Sequence, residues 1–181
     1  MRHTVFLGMG SNVGDSLGYI SQAIKGVADF ALTTVDTVSN VYQTEPVGVA
    51  AQNDFLNVAV GVGTELEFTE LYTKIKQLEQ TIGRKASIRW GPREIDIDLL
   101  LFDDLIVSTD HLTVPHRELD HRKFVLQPLS EIASNFVHPV FKKTISMLNK
   151  ECGDTHAVRY SEEHSTQLQS IIHDSIADPA C

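Results

Sequence analysis

Cysteine is nearly absent from this 181-residue chain: there are two, Cys152 and Cys181, both near the C-terminus and outside any metal-type spacing. A disulfide framework and a structural zinc site are therefore not expected. Positive charge is scarce as well, with 15 Lys and Arg against 24 Asp and Glu and a formal net charge of -9. That balance argues against nucleic acid or an anionic membrane surface as a partner, and any phosphate site must be a local basic cluster. No apolar run approaches the roughly 20 residues of a spanning helix. The start, Met1 to Asn12, lacks the apolar length and small-residue cleavage pattern of a signal peptide. No internal repeat or low-complexity tract is present, so a soluble cytoplasmic protein is the expectation.

What is present is ample for one globular domain, since 42% of the residues are hydrophobic. Residues 4 to 9 read as a strand running into Gly10-Ser11-Asn12, followed by a capped helix from Asp15 to Phe30 with Leu17, Ile20, Ala23, Ile24 and Val27 at helical spacing. Residues 33 to 43 and 55 to 63 read as strands, separated by a loop over 44 to 54 long enough to lie over a site. A second helix spans about Thr69 to Ile82, with Leu71, Ile75, Leu78 and Ile82 on one face and Gly83 as its stop. After a basic loop comes the strand Ile95 to Phe102. The order strand, helix, strand, strand, helix, strand is that of a ferredoxin-like α+β plait with an antiparallel central sheet. Arg122 to Ala133 and Thr144 to Lys150 add short helices. Residues 1–150 form the expected domain. From Glu151 onward six acidic residues face the single Arg159, which reads as an acidic C-terminal tail over 151–181. Its Ser165 to Ile176 portion has an apolar stripe suited to a helix that docks on the body or on another chain, and its histidines His156, His164 and His173 read as solvated.

Chemistry concentrates in one segment. In Ile95-Asp96-Ile97-Asp98-Leu99-Leu100-Leu101 the period of two puts Asp96 and Asp98 on one face, with Ile95, Ile97, Leu99 and Leu101 on the other. Adjacent carboxylates repel unless water or a cation lies between them, and hard oxygen ligands suit magnesium. An isolated Asp-x-Asp is more often a half-exposed strand. Here the preceding loop carries Arg84, Lys85, Arg89 and Arg93, and cations beside a dicarboxylate are what a triphosphate with its metals demands. Trp90, beside Gly91-Pro92, suits stacking on a planar base, although a lone tryptophan is more often core.

Arg89-Trp90-Gly91-Pro92-Arg93 followed by Asp96-x-Asp98 resembles the signature of the 6-hydroxymethyl-7,8-dihydropterin pyrophosphokinases of folate biosynthesis. The resemblance extends over about residues 4 to 150. It takes in Gly10-Ser11-Asn12, Tyr42-Gln43-Thr44-Glu45-Pro46, Asp54-Phe55-Leu56-Asn57, Glu79, Gly83-Arg84, Leu112-Thr113-Val114-Pro115-His116, Arg122, Phe124 and Leu126-Gln127-Pro128-Leu129. It implies an enzyme that moves a diphosphate from ATP onto a pterin alcohol. Asp96 and Asp98 would bridge two Mg2+ ions. Arg84, Arg93, His116 and Arg122 would contact phosphates, and Glu79, Trp90, Thr113 and the Leu99 backbone would lie about the nucleotide. The pterin would sit between Phe55 and Phe124, with Asn57 reading its polar edge and Thr44 and the Val47 backbone adding contacts. The loops at 44 to 54 and 83 to 93 would close over the substrates. The implied partners are these two small molecules, with no nucleic acid, no membrane and a monomer as the default.

The chain departs from the family pattern at Ala86, where relatives often carry a second arginine, at Arg117, often Tyr, and at His111, often Arg. Lys85 offers a point charge in place of the missing guanidinium fork. From the residues themselves two other readings stay open: a plait-fold nucleotidyl transferase or cyclase, and a binding module without turnover. The first does not explain Phe55, Asn57 and Phe124, and the intact Asp96 and Asp98 argue against the second, a pterin- or nucleotide-binding module.

Overall fold

The computed structural model describes residues 1–46, 52–85, 91–109 and 112–176, with side chains to 173. Val47, Ala86, Arg89, Trp90 and His111 lie outside the described residues. The chain runs through β1 (His3–Ser11), α1 (Ser16–Ala28), β2 (Thr33–Val38), β3 (Tyr42–Thr44), β4 (Phe55–Thr64), α2 (Phe68–Ile82) and β5 (Asp96–Phe102). There follow the short hairpin β6 (Val107–Ser108) and β7 (Thr113–Val114), then α3 (Lys123–Ala133), α4 (Ile145–Glu151), β8 (Val158–Tyr160) and α5 (Glu162–Ile176). The main sheet is antiparallel in order β5-β1-β4-β3-β8, with β2 also on β4. This is the plait that the order of elements predicts.

Strand alternation builds two cores. Val5, Leu7 and Met9 of β1, Val58, Val60 and Val62 of β4, and Ile97 and Leu99 of β5 point to the layer of α1 and α2. Phe6, Ala59, Leu100 and Leu101 point the other way, to α3 and α4. The helices themselves start and stop where local chemistry dictates. The Asp15 side chain accepts from the Gly18 N–H at the start of α1, and Gly83 ends α2 at φ 113°, a left-handed value that glycine takes without strain.

Two expectations are corrected. Leu101 does not share the face of Ile97 and Leu99: the β1–β5 register shifts between Phe6 and Leu7, so β5 carries a bulge at Leu100 and Leu101 joins the second core. The single strand over 33 to 43 is two, β2 and β3, because the chain bends at Ser39. There the Ser39 N–H donates to the Ala59 carbonyl and its hydroxyl accepts from the Ala59 N–H, both at 2.9 Å, while the Glu131 carboxylate takes the next amide, Asn40.

The acidic C-terminal region is part of this body. β8 extends the sheet on β3, α5 packs on α1, and Leu168 is buried in the first core. Two of its three histidines have protein partners: His156 pairs with Asp154 at 2.5 Å and His164 with Ser161 at 2.7 Å.

Candidate functional site

On the sheet face away from α1 and α2, the end of α3 leaves uncovered the parts of β1, β4 and β5 that carry small or polar residues. A cavity of about 470 Å3 opens there, a size suited to small-molecule ligands. Asp96 and Asp98 of β5 and Arg93 just before it line one side. Phe55 and Asn57 of β4, Thr44 of β3 and Phe124 of α3 also line it, as do Leu99, Thr113, His116 and Arg122. Eleven sequence-predicted residues from four strands, one helix and the segments between thus meet in a single space. The floor is kept low by glycine. A Cβ at Gly10 would stand 2.8 Å from the Asn57 Oδ1, so any side chain there would displace the amide.

Asp96 and Asp98 have unequal surroundings. Asp96 is ion-paired to Arg93 and, at 3.1 Å, to Arg84. Among the described residues no hydrogen bond is donated to the Asp98 carboxylate, while its backbone pairs with Gly8 of β1. Burial, and next the Asp96 charge, push its pKa up to about 6 against the opposing pull of Lys76, Arg122 and Arg93. A carboxylate raised in this way has free oxygens aimed into a cavity beside a second carboxylate, and that donor set fits a hard divalent cation.

His116 is pinned by its N–H to the Leu100 carbonyl at 2.9 Å, and its Nδ1 accepts from the Glu118 N–H at 3.3 Å. Burial, then the Arg122 charge, lowers its pKa to about 4, so near neutral pH it is an uncharged imidazole with its proton on Nε2. The Arg122 guanidinium lies 5.7 Å from the Phe124 ring centre, joining the phosphate and ring regions of the cavity.

Two predicted residues stand behind the wall. Glu79 is 2% exposed, and its carboxylate holds Arg84 at 2.5 Å, Lys76 at 3.1 Å and the Ile97 N–H at 2.6 Å. It therefore ties α2, Arg84 and the strand segment between the two aspartates into one unit. Burial alone would lower the Arg84 pKa, but the Asp96, Glu79 and Asp98 carboxylates outweigh it and the pKa is raised. The remaining predicted residues, Val47 and Trp90, fall outside the described residues.

Sequence reasoning missed Lys76 and the role of Asn12. Lys76 lines the cavity and donates to the Ile97 carbonyl at 2.9 Å. The buried Asn12 accepts from the Arg93 N–H through Oδ1 at 2.9 Å, and its Nδ2 donates to the Asn53 carbonyl at 3.1 Å. It thus joins the end of the 44 to 54 loop to the end of the 83 to 93 loop. Lys76 was findable: it lies three residues before Glu79 on α2, one helical turn away.

A plait with a strand-borne carboxylate pair, fixed cations and a ring-lined recess in one cavity defines a small transferase acting on a phosphorylated nucleotide. The chain belongs to the 7,8-dihydro-6-hydroxymethylpterin-pyrophosphokinase family, whose model matches residues 6–134. It is 43% identical over 148 residues to the 2-amino-4-hydroxy-6-hydroxymethyldihydropteridine pyrophosphokinase of Aquifex aeolicus, covering 82% of this chain and 91% of that one. With the enzyme of the same name from Bacillus subtilis it shares 42% over 132 residues, 73% of this chain and 79% of the other. The bifunctional protein FolKE of Lactococcus lactis is 34% identical over 171 residues, and this chain spans 49% of its length. The fold is shared with the Plasmodium falciparum HPPK-DHPS structure with pteroate, at a TM-score of 0.68 and 15% identity, over 83% of this chain and 42% of that one. Among the described residues no helix is long and apolar enough to cross a membrane.

Proposed function

We propose that this cavity transfers the diphosphate of ATP to the hydroxymethyl group of 6-hydroxymethyl-7,8-dihydropterin, giving AMP and the pterin diphosphate ester, a step of folate biosynthesis. The observation that carries this reading is the meeting, in one cavity, of Asp96, Asp98, Arg93 and His116 with Phe55, Asn57 and Phe124. The first set suits a triphosphate and the second suits a flat heterocycle with a polar edge.

Asp96 and Asp98 would hold Mg2+, two ions by family resemblance, and the metal supplies charge neutralisation of the triphosphate. Arg93 and Arg122 place guanidinium charge where negative charge gathers as the bond between the β-phosphorus and the α–β bridging oxygen breaks, and Arg84 adds to it from behind the wall through its pair with Asp96. His116 offers an Nε2–H donor to a phosphate oxygen without adding charge. Glu79 lies beyond the nucleotide contacts and acts by fixing Arg84. Thr113 and the Leu99 backbone lie where the nucleoside would rest, and Trp90 and Val47 are assigned there and at the pterin by resemblance.

On the acceptor side Asn57 Nδ2 donates to the Thr44 Oγ1 at 2.8 Å. That bond leaves Oδ1 and the second amide hydrogen for the pterin edge. Phe55 and Phe124 offer ring faces for stacking. The substrate hydroxyl oxygen forms the new bond to the β-phosphorus, AMP leaves with the bridging oxygen, and the hydroxyl proton is lost to solvent. No protein nucleophile is needed, because positioning and charge stabilisation carry the rate.

The reacting residues fall within 1–150. The net charge of -9 argues against nucleic acid as a partner, and a small-molecule reaction that uses ATP is in keeping with a cytoplasmic location. Product analysis tests the reading: AMP should appear only with the pterin alcohol, ATP and magnesium together and vanish with chelator, and ADP in its place would contradict it.

A further inference from the structure

Among the described residues none beyond Val125 lines the cavity, yet the C-terminal segment grips the strand at its edge. β3 is three residues long and pairs with β4 through Tyr42–Asn57 and Thr44–Phe55. Its other edge is covered by β8, in register Tyr42–Tyr160, Gln43–Arg159 and Thr44–Val158. Just before β3, both backbone groups of Val41 are taken by the same segment. Its N–H donates to the Ser165 Oγ at 2.9 Å, and its carbonyl accepts from the Ser161 N–H at 2.9 Å. Antiparallel alternation then makes Gln43–Arg159 the pair that exchanges hydrogen bonds. The Ser165 hydroxyl donates to the Ser161 carbonyl at 2.6 Å, and Leu168, 1% exposed in the first core, anchors the helix behind it.

A three-residue strand held from one side only frays readily. Fraying of β3 would release Thr44, which is 3% exposed and whose Oγ1 is the acceptor that sets the Asn57 amide. We propose that residues 158–168 are a clasp that positions Thr44, and through it Asn57, for the acceptor ring. The segment thereby governs affinity for the pterin and not for ATP, and this rests on the reading of the cavity given above. The selectivity follows from topology. Asp96 and Asp98 lie on β5, separated from β3 by β1 and β4, so loosening β3 leaves the triphosphate end in place. Order imposed before the ligand arrives lowers the cost of binding it. Ser161, Ser165 and Arg159 are positioning residues in this account and touch no substrate.

Steady-state kinetics with each substrate varied separately test the clasp. Ser165→Ala removes the acceptor of the Val41 N–H, and Arg159→Pro removes a donor from the β3–β8 ladder. Val27→Ala, on the buried face of α1 in the first core, serves as a variant that is destabilised away from β3. The KM for the pterin alcohol should rise about five- to tenfold in Ser165→Ala and Arg159→Pro, with the KM for ATP within about twofold of the parent. Val27→Ala should lower the melting temperature and leave both KM values unchanged. Should Arg159→Pro fail to fold, Ser165→Ala decides alone. A pterin KM within twofold of the parent, or pterin and ATP KM values rising together, overturns the clasp while leaving the reading of the cavity intact. A parent chain without AMP-forming turnover overturns that reading, and the clasp with it.

Discussion

Asn12 and Arg93 exchange hydrogen bonds: the Arg93 N–H donates to the Asn12 Oδ1 at 2.9 Å, and the Asn12 N–H donates to the Arg93 carbonyl at 3.1 Å. The end of β1 is thereby stapled to the residue whose guanidinium pairs with Asp96. The Asn12 side-chain amide nitrogen reaches Gln52 and Asn53, at the end of the other loop. One buried side chain thus sets the spacing between the two loops that flank the cavity.

Asn12→Ala should lower kcat/KM for both substrates about 10- to 100-fold, because misplacing a phosphate-binding group by about an ångström costs that much. The buried N–H left behind at Arg93 should cost about 1–3 kcal/mol of stability. Kinetics and urea unfolding of the same variant check both. A loss confined to one substrate would show that Asn12 holds one loop rather than two.

Glu79→Gln keeps an oxygen for the Ile97 N–H and removes the charge that holds Arg84 and Lys76. The kcat should fall about tenfold with little change in pterin KM, since the effect passes through Arg84 to the triphosphate end. Glu79→Ala should also unsettle the fold by about 1–3 kcal/mol, because the Ile97 N–H loses its acceptor while the half-buried Arg84 and Lys76 keep access to water. A kcat for Glu79→Gln equal to that of the parent would remove the link from Glu79 to Arg84.

The two ends of the cavity should separate by mutation. Asp96→Ala or Asp98→Ala should lose most of the rate and weaken magnesium binding measured by calorimetry with a non-hydrolysable ATP analogue. Phe124→Ala should instead raise the pterin KM about tenfold and leave magnesium binding as it was. An Asp98→Ala variant with the parent's rate would refute the metal assignment.

Acid should destabilise the ligand-free protein through buried neutral histidines. His138 is 3% exposed, and its Nδ1 accepts from the N–H groups of Val140 at 3.2 Å and Phe141 at 3.3 Å. Burial lowers its pKa, and it lowers that of His116 to about 4. In both cases the unfolded chain binds the proton more readily, so this stability is fully present above about pH 6.5 and is lost as pH falls toward 4. Melting temperatures between pH 7 and pH 4 measure it. His138→Asn, whose Oδ1 can accept in place of Nδ1, should flatten part of the slope; an unchanged slope would exclude His138 as a source.

Where the sequence carries a periodic signal, the structure follows it. Asp96 and Asp98 alternate with Ile97 and Leu99 as their spacing demands, and Gly83 stops α2 because its φ of 113° favours glycine. The bulge at Leu100 was illegible, since a run of three leucines reads the same in either register. Glu79 was singled out by the resemblance alone, as a residue about the nucleotide, and not by its place on α2. Yet it sits four residues after Ile75 and eight after Leu71, on the buried stripe, and a carboxylate there requires cations to meet it. The clasp was hidden for a different reason: Val158-Arg159-Tyr160 is too short to show a period, and its partners lie more than a hundred residues earlier. In the cavity, the resemblance gathered the residues and the geometry added Lys76, and outside it the bonds of Asn12 to Arg93 and Asn53.

The central claim is that the β-phosphorus of ATP is the atom transferred. ATP labelled at the β-phosphorus, incubated with the protein, the pterin alcohol and magnesium, should deliver its label to the pterin product and leave unlabelled AMP. Label retained in ADP, with only the terminal phosphate on the pterin, would contradict the account.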